Sequence, residues 1–126
     1  MSREADEYWR NVDLYDEGYK QHQWLFCLLE NFGANVGLHG RMDQLLDNFY
    51  SSKKNCKGIG FTMEGSENNP VMFELMSELP WRAEKFTKEE WIRGYVRARY
   101  GILSPLTSHP SPIEQAWLVL DRKSVV

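Results

Sequence analysis

The sequence predicts an α/β fold with parallel strands, followed by further helices. Residues 24–29 and 57–63 form two predominantly apolar runs that lack the polar alternation of a surface strand. Such runs are typical of strands buried on both faces of a parallel sheet. Between them, residues 40–50 carry apolar side chains at helical spacing, namely Met42, Leu45, Leu46 and Phe49. Strand, helix and strand therefore predict one βαβ unit.

A helix is predicted directly after the second strand. Asn69 suits the N-cap and Pro70 suits the first helical position. Pro80 is expected to stop this helix, and its predicted buried residues are Met72, Leu75, Met76 and Leu79.

Two later helices carry clear start signals. Thr87 and Glu90 have the spacing of a capping box, and so do Ser111 and Glu114. Gly101 is predicted to end the first of these helices. Near the N-terminus, residues 4–19 are predicted to be helical from an aromatic stripe that consists of Tyr8, Val12, Tyr15 and Tyr19.

Composition excludes several classes of function. The 126 residues have a net charge of −3, so no basic field favours nucleic acid or an anionic membrane surface. Cys27 and Cys56 lack the spacing of a metal site and are predicted to be small buried hydrophobic residues. The histidines, His22, His39 and His109, suggest neither a metal site nor a triad. We therefore expect no metal and no cofactor.

Glu64 is the main candidate for chemistry. It ends the second predicted strand, and a helix start follows at once. This is the position from which α/β barrels present catalytic groups. The alternative is that Glu64 is an ordinary solvated or capping carboxylate of a βα loop.

Two segments of the chain resemble the α-N-acetylglucosaminidases of glycoside hydrolase family 89. One is Gly58-Ile59-Gly60-Phe61-Thr62-Met63-Glu64-Gly65 together with its continuation to Glu78. The other is the apolar run from Trp24 that ends in Asn31-Phe32-Gly33-Ala34-Asn35, where the family usually has Asn-Phe-Gly-Gly-Asn. Glu30 stands where the family often has His. The resemblance covers roughly residues 20–120.

The resemblance implies a fragment of a (β/α)8 TIM barrel. Residues 1–80 would be its last two parallel strand-helix units, and residues 81–126 would begin an α-helical C-terminal domain. It also implies a retaining glycosidase that removes terminal α-linked N-acetylglucosamine from glycans, with Glu64 as the nucleophile. The acid/base glutamate would lie on an earlier strand outside this chain, so the chain alone is expected to be inactive without the remainder of the catalytic domain.

Asn31, Asn35, Phe32 and Trp81 are the candidate substrate-binding residues. Amide side chains can bond to sugar hydroxyls, although the two asparagines would equally stabilise turns. Phe32 is a pocket wall or a core residue, and Trp81 is a candidate for stacking on a sugar ring. Glu67, near a predicted helix start, has a structural explanation.

Two other classes remain open at this point. A non-catalytic carbohydrate-binding or interaction module would keep the pocket residues and perform no chemistry. A helix-turn-helix nucleic-acid binder would use Arg93, Arg97 and Arg99, but the neighbouring Glu89 and Glu90 and the acidic total oppose it.

Overall fold

A computed structural model describes residues 23–30, 40–52, 56–63, 68–101 and 109–122. The elements, in order, are β1 (Trp24–Glu30), α1 (Met42–Ser52), β2 (Cys56–Met63), α2 (Pro70–Glu78), a 3₁₀ turn (Leu79–Trp81), α3 (Lys88–Tyr100) and α4 (Pro112–Asp121). The helix predicted at residues 4–19 lies outside these residues.

The two strands form a parallel pair, as the sequence predicts. Their register runs from Leu25 opposite Gly58 to Glu30 opposite Met63, with one irregularity after Trp24. Since α1 connects the two strands, the predicted βαβ unit is confirmed.

The predicted bounds of α1 are two residues too early. The helix begins at Met42 and not at Gly40. Arg41 has φ of 55°, which lies in the left-handed region and cannot belong to a right-handed helical turn. The backbone conformation of this one residue therefore delays the start of the helix.

The helices bury the faces that their sequence patterns predict. Every apolar position predicted for α1 and α2 is buried, and α3 buries Trp91, Ile92, Tyr95 and Val96. These side chains form one cluster, against which Ile113, Trp117 and Leu118 of α4 also pack. The core is therefore built from residues on both sides of position 80.

Both predicted capping boxes are present. The Thr87 hydroxyl accepts from the backbone N–H of Glu90, and the Glu90 carboxylate accepts from the backbone N–H of Thr87 at 2.9 Å. Ser111 and Glu114 repeat the arrangement at α4. Gly101 ends α3 with φ of 64°, as expected for a glycine C-cap.

The prediction that the strands are buried on both faces is wrong for this chain. Phe26 and Leu28 lie on the face that packs against helices, with the ring of Phe26 5.4 Å from that of Phe49. On the other face Leu25 is 59% exposed and Cys27 is also exposed. We call this second face, defined by Leu25 and Cys27, the open face. The described helices α1 and α2 pack on the opposite side, which leaves it uncovered.

This exposure also corrects the prediction for the cysteines. Cys27 is exposed on the open face, so it is not a buried hydrophobic residue here. Cys56, at the start of β2, is half-buried, and its thiol lies 3.0 Å from the carbonyl oxygen of Gly58.

Candidate functional site

The candidate site is built on the carboxyl ends of the two strands. Glu30 and Met63 are the last register partners, so β1 and β2 end side by side. Adjacent strands lie about 4.8 Å apart. Asn31 and Glu64 are the next residues along the chain from this common edge. Like Phe32 and Asn35, they lie outside the described residues.

The segment 31–39 rejoins the described structure at Gly40. A Cβ atom at Gly40 would lie only 2.3 Å from the sulfur of Met72, so a larger residue here would displace that buried side chain. Two residues later, the backbone N–H of Met42 donates to the carboxylate of Asp121 at 2.8 Å. The chain is thus held by α2 and by α4 at the point where it leaves this segment.

A buried helix N-cap follows the segment that carries Glu64. Asn69 is almost fully buried, and its side-chain oxygen accepts from the backbone N–H of Val71 at 3.3 Å. Because Asn69 precedes Pro70, this confirms the predicted helix start. Residues 64–67 therefore lie in sequence between the end of β2 and a buried N-cap.

Trp81 is placed away from the carboxyl edge. Its side chain is 88% exposed at the end of the 3₁₀ turn. The neighbouring Arg82 carbonyl accepts from the hydroxyl of Tyr50 at 3.3 Å. Tyr50 belongs to the last turn of α1, which leads back to the amino end of β2 at Cys56. The structure therefore does not bring Trp81 together with the ends of the strands.

A charge cluster around the buried Asp121 carboxylate lies beside the start of α1. The Asp121 side chain is only 2% exposed, and its second oxygen is 3.1 Å from the ammonium of Lys88, which also pairs with Asp43. Burial by itself lowers the pKa of Lys88, but the hydrogen bonds to Asp43 and Asp121 outweigh that effect and raise the pKa above its usual value. The Lys88 side chain is therefore positively charged at neutral pH. Sequence reasoning missed the cluster, since no local motif links these residues.

A shallow surface depression lies on the Trp81 side of the molecule. Its lining residues are Arg82, Ala83, Glu84, Lys85, Phe86 and Glu90. The Arg82 guanidinium stacks over the Phe86 ring, 4.6 Å from its centroid, and pairs with Glu78 at 3.0 Å. These contacts account for the arrangement of Arg82, Phe86 and Glu78 as ordinary surface packing.

Neither a metal site nor a membrane span is found in the described ranges. No group of three or more His, Cys, Asp or Glu side chains there is arranged to hold a metal ion. None of the helices in that part of the chain combines the length and apolar character needed to cross a bilayer.

Comparisons with known proteins agree with the motifs on the two strands. The model of the alpha-N-acetylglucosaminidase (NAGLU) TIM-barrel domain matches residues 2–83. Human alpha-N-acetylglucosaminidase is 29% identical over 109 residues, which are 82% of this chain and 14% of the human protein. The chain thus spans about a seventh of that relative. No solved structure gives a significant match. With the family model covering more than half of its residues, the chain belongs to the alpha-N-acetylglucosaminidase family.

Proposed function

We propose that this chain is part of a retaining glycosidase that removes terminal α-linked N-acetylglucosamine from glycans. The observation that carries the proposal is the parallel pairing of β1 and β2 up to Glu30 and Met63. Catalytic groups of TIM-barrel enzymes lie on the loops after the carboxyl ends of the strands. Asn31 and Glu64 follow directly from two such neighbouring ends. Family membership supports the reaction class.

Glu64 is proposed to be the nucleophile. In a retaining glycosidase one carboxylate attacks the anomeric carbon while a second carboxyl group, about 5 to 5.5 Å away, protonates the leaving oxygen. The glycosyl-enzyme ester is then hydrolysed by water, and the second group acts as the base. We assign that acid/base role to a glutamate on an earlier strand, outside these 126 residues.

Asn31, Phe32 and Asn35 are proposed to contact the sugar. All three belong to the segment that leaves the carboxyl end of β1, next to the strand that leads to Glu64. Amide groups both donate to and accept from hydroxyls, and an aromatic ring packs on a pyranose face. Trp81 has no comparable support from topology, and we leave it out of this site.

The open face supports an assignment to a barrel interior. In a TIM barrel the helices cover the outer side of the strands, and the inner side is filled by side chains from the other strands. Leu25 and Cys27 lie on the side that α1 and α2 leave uncovered. We therefore propose that residues 1–80 are the last two units of the barrel, with residues 81–126 beginning the helical domain.

The test is chemical rescue in the full-length protein. Glu64→Ala should abolish hydrolysis of an aryl α-N-acetylglucosaminide, and azide should restore cleavage by occupying the vacated space. The expected product is the β-glycosyl azide, because a single displacement inverts the anomeric centre. Glu67→Ala is the control, since Glu67 belongs to the same segment, and it should keep its activity. Near-normal turnover of Glu64→Ala would refute the assignment.

A non-catalytic carbohydrate-binding module is the alternative. The chain spans 14% of its human relative. Of the two catalytic carboxyl groups proposed above, these 126 residues contain one, Glu64. Binding of N-acetylglucosamine with no turnover in any form of the protein would favour this alternative.

A further inference from the structure

We infer that residues 82–88 are a strap that fastens α1 to the helices α3 and α4, so that these helices move and open as one body. The model of the TIM-barrel domain matches the chain up to position 83, so it includes α1 but neither α3 nor α4. The strap therefore joins the matched region to helices that lie beyond it. The inference does not depend on the glycosidase reaction.

The first step is the order of the contacts between α1 and the strap. Three residues of α1 each contact a residue of the strap, in antiparallel order: Tyr50 with Arg82, Asp47 with Lys85, and Asp43 with Lys88. The three positions in α1 are spaced by three and four residues, which places them on one side of the helix. Seven helical residues rise about 10 Å. The strap thus lies along α1 over that length and does not merely cross it at one point.

The second step is the burial at the two ends of the strap. At one end the ring of Tyr50 packs edge-to-face on that of Phe86, with 6.2 Å between the centroids. At the other end the side chain of Lys88 is 14% exposed, and its ammonium lies 3.1 Å from the carboxylate of Asp121, whose side chain is 2% exposed. The ion pair between these ends is exposed on both sides and contributes little. Because loss of one partner leaves a buried charge uncompensated, the Lys88 end carries most of the attachment.

The third step is the connection of three helices at the Lys88 end. The other carboxylate oxygen of Asp121 accepts from the backbone N–H of Met42 at 2.8 Å, so the last residue of α4 is bonded to the first turns of both α1 and α3. The buried side chains of α1 and α3 also belong to one apolar cluster. Domain boundaries usually fall in exposed linkers that few contacts cross. Position 83 lies in a segment with the opposite character, so a movement of α3 and α4 must take α1 with it.

The experiment is native-state hydrogen exchange of the full-length protein and of three variants. Lys88→Met removes the ammonium and keeps an unbranched apolar stem. Arg99→Met is the matched control, because it removes a cation of the same helix whose ion pair with Glu74 is half-exposed on both sides. Ile92→Val removes one methyl group from a fully buried position of α3. The measurement is the acceleration of the slowest-exchanging amides of α1 and of α3, which report the opening of a whole cooperative unit.

In Ile92→Val we expect the same acceleration in α1 as in α3, roughly twofold to tenfold, although the substitution lies in α3 alone. In Lys88→Met both helices should accelerate roughly tenfold or more, because Asp121 keeps a buried charge without its ammonium partner. Arg99→Met should accelerate either helix by less than about fivefold. Acceleration of α3 without α1 in Ile92→Val would overturn the inference, and so would equal exchange of α1 in Lys88→Met and Arg99→Met. If Lys88→Met does not fold, Ile92→Val decides by the comparison of the two helices.

Discussion

The thiol of Cys27 lies over Gly60 of the neighbouring strand. A Cβ atom on Gly60 would be 2.8 Å from the Cys27 sulfur, closer than real Cβ contacts allow. Likewise, a Cβ atom on Gly58 would be 3.1 Å from Cδ2 of Leu25. The side chains of β1 thus occupy space on the open face that β2 leaves free. Gly58 and Gly60 therefore lie where the side chains of the neighbouring strand approach closely.

Gly60→Ala should therefore destabilise the chain. Forcing a methyl group against the thiol displaces Cys27, and we expect a loss of about 1 kcal/mol in the free energy of unfolding, at the lower end of overpacking costs. In a Cys27→Ala background the nearest remaining atom, the residue 27 Cβ, would be 3.9 Å away, so the steric cost should vanish. The same substitution should then stabilise slightly, because glycine is less favourable than alanine inside a strand. The measurement is a double-mutant cycle by urea denaturation at low micromolar concentration. Equal costs in both backgrounds would contradict the steric explanation.

Two other glycines should respond in opposite directions. Gly94, inside α3, has open space where a Cβ atom would lie, so Gly94→Ala should stabilise the chain by about 0.5 to 1 kcal/mol through helix propensity. Gly101 has equally open space but φ of +64°, so Gly101→Ala should destabilise by about 1 kcal/mol from backbone strain alone. Melting temperatures of the two variants check the signs. Destabilisation by Gly94→Ala would contradict the helix-propensity explanation, and stabilisation by Gly101→Ala would contradict the strain explanation.

Features set by neighbouring residues could be predicted from the sequence. The two capping boxes need residues three positions apart, and the buried helical faces need only the helical period. By contrast, the bond from Met42 to Asp121 spans 79 positions and has no local signal. The exposure of Cys27 was missed for a different reason. Its apolar surroundings indicate a buried strand, but the described helices pack on the other face of the sheet. The contact of Arg82, the neighbour of Trp81, with Tyr50 is non-local as well.

The capping box at Thr87 should make stability depend on acidic pH. Bonds from the backbone N–H and the hydroxyl of Thr87 lower the pKa of Glu90 below its usual value. A depressed pKa in the folded state means that the stabilisation is complete above the unfolded pKa of about 4.5 and is lost as the pH falls through the folded pKa. Glu90→Gln should therefore be less stable than the wild type at pH 7, and the difference should shrink as the pH is lowered below 4.5. Glu89→Gln removes the same charge from the same helical turn without a bond to Thr87. The measurement is urea denaturation of all three proteins from pH 7 to pH 3. If Glu90→Gln and Glu89→Gln had identical pH profiles, the charge and not the capping bond would be the cause of the pH-dependent stability.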